Sequence, residues 1–378
     1  MSIQYTTGNA QRLCLKFFKK WENASLRLAI RVDASSDIGS GHAVRCVTLA
    51  KALQQALKAD NILLKVDVVI TRGADMLNDA FKAAGFSVIY VNDIHCDVSH
   101  IKADIWIVDH YQLDAEFETP LVKSGALVVV IDDLANRQHN CHLLIDANLT
   151  NNAEHRYNTL VTQNCVQLIG PKYALLREEF YHVQKKMVPR TSNHILICFG
   201  GSDPTNTTSM ALEALKEVKD LPLTADVVIG AGNTHKQIII EQVQLLDKVT
   251  LHIDSQNMAE LMCKASVMIG AGGSMHWERC ICDLPGLIIT IADNQREATQ
   301  CLASRYACEY IGHVTSVNRE VIAAALRNYF VKNGAETATQ KRLNKIVPLD
   351  GGAASVSKEI IYLINTKKDE RGFTIEEH

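Results

Sequence analysis

A histidine standing just behind two glycines, where an apolar run gives way to a helical period, is the first group in this chain able to do acid–base chemistry. The stretch reads Asp33-Ala34-Ser35-Ser36-Asp37-Ile38-Gly39-Ser40-Gly41-His42-Ala43-Val44-Arg45. Gly39 and Gly41 allow close backbone approach, and a helix N-terminus presents free N–H groups and the positive end of its dipole. An anion or a developing negative charge is stabilised there, and a neutral His42 imidazole can take a proton from water. The same residues also suit a tight turn with His42 capping the helix, and Gly-x-Gly-His alone does not separate the two.

Further polar residues recur at the same kind of junction. Ile107-Val108-Asp109-His110-Tyr111 ends a β-branched run, so Asp109 is placed to orient an imidazole and Tyr111 to donate to a substrate oxygen; an Asp-capped helix with an exposed aromatic is the other reading. Ile131-Asp132-Asp133 has the same placement and suits carboxylates capping a turn. Farther on, Gly200-Gly201-Ser202-Asp203-Pro204 and Gly270-Ala271-Gly272-Gly273-Ser274 each lead into a helical pattern. Small residues there let backbone amides reach a diphosphate. Glu278, one turn or about 6 Å beyond Ser274, suits a ribose diol, because a carboxylate accepts from hydroxyls and repels phosphate. Asp293-Asn294-Gln295 offers carboxylate and amide groups to sugar hydroxyls or acetamido groups, or a simple helix cap.

These junctions need elements to hold them. From Leu26 onward, short β-branched runs alternate with amphipathic stretches, the pattern of a parallel sheet covered by helices. Strands are expected at residues 27–32, 65–70, 87–91, 105–109, 127–132, 143–147 and 166–169, with helical stretches such as 44–58 and 74–84 between them. A polar segment, 184–193, lacks apolar period and reads as a connection. A second set of strands follows at 194–199, 224–229, 250–253, 267–269 and 286–289. The fold class is therefore α/β, two doubly wound Rossmann-like domains facing across a cleft: an extension at 1–25, a first domain at 26–187, a linker at 188–193, a second domain at 194–365 and a charged tail at 366–378. Ligands of such sheets sit at the carboxyl ends of strands, where the residues above lie.

Composition narrows the classes of function. With 378 residues, 47% hydrophobic and 21% charged, the chain has the balance of a globular protein large enough for two cores. A net charge of −3 and a pI near 6.5 provide no basic field for nucleic acid. The eleven cysteines are scattered through apolar runs, as expected for reduced thiols in a cytoplasmic protein. No apolar run reaches membrane-spanning length. His139, Cys141 and His142 have no partner set for a metal, and no Gly-x-x-x-x-Gly-Lys motif is present, so neither metal nor other cofactor is expected.

Taken together, several stretches resemble one family, the UDP-2,4-diacetamido-2,4,6-trideoxy-β-L-altropyranose hydrolases of bacterial pseudaminic acid biosynthesis. They are Arg31-Val32-Asp33-Ala34-Ser35-Ser36 with Gly39-Ser40-Gly41-His42 and Arg45, Asp109-His110-Tyr111, Ile131-Asp132-Asp133, Gly170-Pro171-Lys172-Tyr173-Ala174-Leu175-Leu176-Arg177-Glu178-Glu179-Phe180, Phe199-Gly200-Gly201-Ser202-Asp203, and Asp293-Asn294-Gln295. The first 25 residues have no counterpart in that pattern. The resemblance implies a glycosyltransferase-B architecture, similar to that of the enzyme that adds N-acetylglucosamine to lipid I, with UDP on the C-terminal domain and sugar facing the N-terminal one. It implies His42 as the base that activates water, Tyr111 and Asn294 as groups that position substrate, and Glu278 on the ribose. The implied reaction is metal-independent and inverting, releasing UDP from the sugar. The expected partners are the UDP-sugar and water, and the chain is expected to act as a monomer. A glycosyltransferase of the same fold, which would need a second acceptor, and a non-catalytic nucleotide-sugar-binding protein, which would release no UDP, are the alternatives.

Overall fold

The computed structural model describes residues 25–34, 41–74, 78–183, 189–333 and 343–371. Gly39, residues 1–24 of the expected extension, residues 184–188 of the polar connection and the end of the charged tail, 372–378, lie outside the described residues.

Two parallel sheets form the framework. The first contains β1 (Ser25–Val32), β2 (Leu63–Thr71), β3 (Ser87–Val91), β4 (Ile105–Asp109), β5 (Leu127–Ile131), β6 (Leu143–Asp146) and β7 (Val166–Ile169), in the order β3-β2-β1-β4-β5-β6-β7. The second contains β8 (His194–Cys198), β9 (Thr224–Ile229), β10 (Val249–Ile253), β11 (Val267–Ala271), β12 (Gly286–Thr290) and β13 (Glu309–His313), in the order β10-β9-β8-β11-β12-β13. The central strands are apolar without alternation because helices cover both faces: every residue of β4, β5, β8, β11 and β12 is buried. Each of the expected strands is present, its ends moved by no more than two residues. The expectation missed β13, an edge strand whose sequence Glu-Tyr-Ile-Gly-His has no apolar run and whose register with β12 shifts at Ile288/Ile289.

In both sheets the chain winds outward from a central strand in one direction and then returns to wind in the other. That reversal places the switch point between β1 and β4 in the first sheet and between β8 and β11 in the second. Crevices at such points are where open α/β sheets take ligands. His42 follows β1, Tyr111 follows β4, Gly200 to Ser202 follow β8, and Gly272 to Ser274 follow β11. All four stretches are thus brought to the two switch points by the winding of the chain.

The C-terminus departs from the expected domain limits. Residues up to 365 were expected in the second domain and 366–378 in a charged tail, but Gly352–Arg371 forms one helix that packs against the first helix, α1 (Gly41–Lys58). Ala353, Val356, Ile360 and Ile364, spaced three and four apart on one face, are buried in the core of the first sheet. Lys367 Nζ donates to the carbonyl oxygen of Ala126 at 2.7 Å. The long helix therefore returns to the N-terminal body after the second sheet is complete.

Its entry is tight. A Cβ at Gly351 would collide with the carbonyl oxygen of Lys172, and one at Gly352, where φ is +67°, with the Tyr181 hydroxyl. Gly351→Ala should lower stability by about 2 kcal/mol, since backbone must move to admit the methyl. Urea unfolding measures this, and an unchanged midpoint would contradict the described seating of the helix.

Candidate active site

The site grows from three residues on the first turn and a half of α1. His42 and Arg45 share a face at i and i+3, and Cys46 lies beside them at i+4. All three meet Asp109, the last residue of β4. His42 Nδ1 donates to Asp109 Oδ1 at 2.6 Å, Arg45 Nη2 donates to Oδ1 at 2.6 Å and Nε to Oδ2 at 2.6 Å, and Cys46 Sγ donates to Oδ2 at 3.5 Å. Burial alone would raise the carboxyl's pKa, but the charge of Arg45 and the bond with His42 outweigh it and hold Asp109 well below the usual carboxylate range.

An ionised carboxylate only accepts hydrogen bonds, so the neutral His42 imidazole carries its proton on Nδ1 and its lone pair on Nε2. Arg45 Nη2 lies 3.0 Å from Nδ1 as well; both are donors, and the carboxylate between them takes both. The imidazole is thus set as an acceptor at its outer nitrogen. Asp109 is only 1% exposed, and both it and Arg45 are occupied within this cluster. Their contacts are those of groups that hold His42.

Tyr111 completes the wall. Its ring stands edge-on to His42, with centroids 4.5 Å apart and planes at 89°. Its hydroxyl donates to Asp133 Oδ2 at 3.3 Å, and Arg45 Nη1 donates to the same oxygen at 3.1 Å. Burial, followed by the Asp133 charge, pushes the phenol well above its ordinary pKa, so it stays a neutral hydroxyl. From the second domain, Asn294 Nδ2 donates to the Tyr111 oxygen at 3.1 Å. One hydrogen-bonded path therefore runs Asn294, Tyr111, Asp133, Arg45, Asp109, His42, and it crosses from one sheet's loops to the other's.

On the second domain, Gln295 links Asn294 to the glycine loop. Its Oε1 accepts from the Ile291 amide at 3.0 Å, and its side chain covers Gly272, where a Cβ would come within 3.0 Å of Gln295 Cβ and 2.9 Å of Thr299 Oγ1. Gly273 has φ +77°, a conformation that side chains rarely adopt, and Ser274 precedes the helix Met275–Ile281 without capping it by its side chain. Glu278 is partly buried; burial raises its carboxyl to about 7, with Arg177 pulling it down and Glu179 pushing it up. Asp293 remains exposed and pairs with Arg296 at 3.0 Å, apart from the path.

The loop after β8 answers differently from its sequence. Gly200 takes φ +88° and Gly201 O accepts from the Gly230 amide, but buried Asp203 fills the start of the next helix, accepting from the Thr207 amide at 3.0 Å and the Thr208 amide at 2.8 Å. Those two amides are already satisfied by the chain's own carboxylate. Gly200, Gly201 and Ser202 border the switch point without an open helix end behind them. Gly41 opens α1 with free space where a Cβ would stand.

Three contributors were quoted in the sequence without an assigned role. Asp132 and Asp133 looked alike as turn carboxylates, yet neighbours on an extended chain face opposite ways. Asp132 turns inward to Arg137 Nη1 (2.7 Å), the Ala135 amide (2.8 Å) and the Tyr157 hydroxyl (2.9 Å), while Asp133 turns to the cleft. Arg177 and Glu179, paired at 2.8 Å, flank Glu278 from the segment that leaves the first domain. His110, conversely, is structural: its Nε2 donates to Asp33 Oδ2 at 3.2 Å, and Asp33 also binds Arg31 and Thr71, tying three strand ends together. His139 and His142 are engaged elsewhere, with Glu118 and the Val128 amide.

No helix among the described residues is long and apolar enough to cross a membrane. No known family model matches the chain. It is 28% identical over 284 residues to an uncharacterized protein of Methanocaldococcus jannaschii, a match covering 72% of this chain and 57% of that protein, so the chain spans little more than half of that relative's length. It is 25% identical over 289 residues to the UDP-2,4-diacetamido-2,4,6-trideoxy-β-L-altropyranose hydrolase of Campylobacter jejuni, covering 75% of this chain and 99% of that one. Among solved structures, the spinosyn rhamnosyltransferase SpnG with spinosyn aglycone matches with a TM-score of 0.61 at 13% identity, covering 89% of this chain and all of that one. The UDP complex of MnaA from S. aureus matches at 0.59 and 11%, covering 94% and 100%. The chain thus has the glycosyltransferase-B architecture and is related in sequence to a nucleotide-sugar hydrolase.

Proposed function

We propose that this protein hydrolyses a UDP-sugar at its anomeric carbon, with UDP-2,4-diacetamido-2,4,6-trideoxy-β-L-altropyranose as the substrate. The observation that carries the reading is the Asn294–Tyr111 bond, because it joins the glycine loop under Gln295 to the imidazole of His42 across two domains. A diphosphate held at Gly272, Gly273 and Ser274 leaves its sugar pointing toward the first domain. His42 Nε2 removes a proton from water as the water oxygen bonds to the anomeric carbon, and the bond to the diphosphate oxygen breaks with its electrons departing on UDP. Asp109 stabilises the imidazolium that forms. Base and leaving group come from opposite domains, hence from opposite faces of the sugar, and the configuration inverts. The diphosphate is already a good leaving group, so a placed water and one base suffice.

Incubating the protein with a panel of UDP-diacetamido sugars and following the anomeric products by NMR tests this. Free sugar formed with water as sole acceptor supports it. Release only on adding a carbohydrate or lipid acceptor would make the protein a transferase, and binding without release would make it a sensor.

Glu278 gives a pH prediction. Its carboxyl is protonated below a pKa of about 7 and ionised above it, and only the ionised form accepts from both ribose hydroxyls. Affinity for a UDP-sugar, whose diphosphate does not titrate near neutrality, should rise by up to about tenfold as pH climbs from about 6 to about 8. Calorimetry reads it, and Glu278→Gln should flatten the dependence; a flat wild-type profile would remove Glu278 from the ribose.

A further inference from the structure

Asp133 lies where the two halves of the hydrogen-bonded path join. Its Oδ2 accepts from Arg45 Nη1 at 3.1 Å and from the Tyr111 hydroxyl at 3.3 Å. Its backbone oxygen is fixed independently, by Asn148 Nδ2 at 3.2 Å and Arg156 Nη2 at 2.9 Å, so the carboxylate is presented from a rigid point. The other oxygen, Oδ1, is buried and takes no hydrogen bond from the described residues. Everything that Asp133's side chain holds is therefore in the cleft. Arg45 does not depend on it, being bound twice by Asp109 at 2.6 Å. Tyr111 does: with its proton given to Asp133, its oxygen is free to accept, and Asn294 uses it. The ring that carries this hydroxyl packs edge-on against His42.

We propose that Asp133 is a positioning residue for the hydrolytic site, acting through Tyr111 to hold the His42 imidazole and to orient the hydroxyl that Asn294 meets across the cleft. The proposal rests on the hydrolase reading for its kinetic consequence, but not for its geometric one. Asp133→Asn preserves shape and the backbone bonds while replacing a charged acceptor by a neutral amide. The loss of a charge-assisted bond that holds a group against the base should lower UDP release by about 10-fold.

The test is a double-mutant cycle of Asp133→Asn and Tyr111→Phe, read by UDP release and by the carbon-13 resonance of the His42 ring in histidine-labelled protein, assigned with His42→Gln. Both single variants should displace the His42 resonance the same way. Asp133→Asn should add nothing to that shift, and cost less than about 2-fold in rate, once Tyr111 is phenylalanine. A His42 resonance unmoved by Asp133→Asn, or a full rate loss persisting in the Tyr111→Phe background, would overturn the proposal. If the wild-type protein releases no UDP from any UDP-sugar, the hydrolase reading falls, and the resonance alone decides the role of Asp133.

Discussion

His42→Ala is expected to reduce UDP release by about 10³-fold or more while leaving the affinity for UDP within a few-fold. The two halves of that statement follow from the division of the site. The imidazole stands on the first domain, bonded to Asp109 and packed on Tyr111, whereas the glycine loop and Glu278 belong to the second. A base that meets only water and the reacting carbon contributes to the transition state and little to ground-state binding. Steady-state UDP release and calorimetry with UDP measure the two quantities. An alanine variant that retains turnover would remove His42 from the chemistry, and one that loses UDP binding would mean the imidazole holds the nucleotide instead.

Asp109→Asn should be nearly as severe, for a different reason. The amide can donate to Nδ1 as readily as it can accept, so the imidazole is no longer forced to keep its lone pair outward on Nε2. A loss of about 10²–10³-fold in turnover is expected. There is a second cost. Arg45 makes two 2.6 Å bonds to this carboxylate, and a half-buried guanidinium deprived of one of its two anionic partners should lower stability by about 2 kcal/mol. The folded-state pKa of Asp109 is depressed, so this contribution is present above the unfolded carboxyl pKa and disappears as pH falls through the lower folded value. Thermal melts at neutral and acid pH should therefore converge for wild type and variant as pH falls. Turnover within a factor of about three of wild type would show that the tautomer does not matter.

How much of this was legible beforehand depends on what each residue's position rests on. The strands could be read because parallel strands buried on both faces are continuous apolar runs, and His42, Asp109 and Tyr111 could be read because they end such runs. The edge strand Glu309–His313 could not, having only one flank in the sheet and a glycine at φ +147°. Asp203 stood in the sequence only as part of a small-residue stretch before a helix; in the fold it accepts from the amides four and five residues on, a local contact that the residue types alone do not single out. Asp133 and Arg177 were quoted without a role because their roles come from partners 88 residues away and on another helix, which no local pattern states. The return of residues 352–371 to the first domain was also invisible, because an amphipathic helix does not state which core it covers.

The most direct test of the account is the fate of oxygen when the reaction is run in oxygen-18 water. Attack of a water held by His42 on the anomeric carbon places the label in the free sugar and leaves UDP unlabelled. Label in the UDP, with none in the sugar, would put the attack on phosphorus and contradict the placement of His42 as the base at carbon.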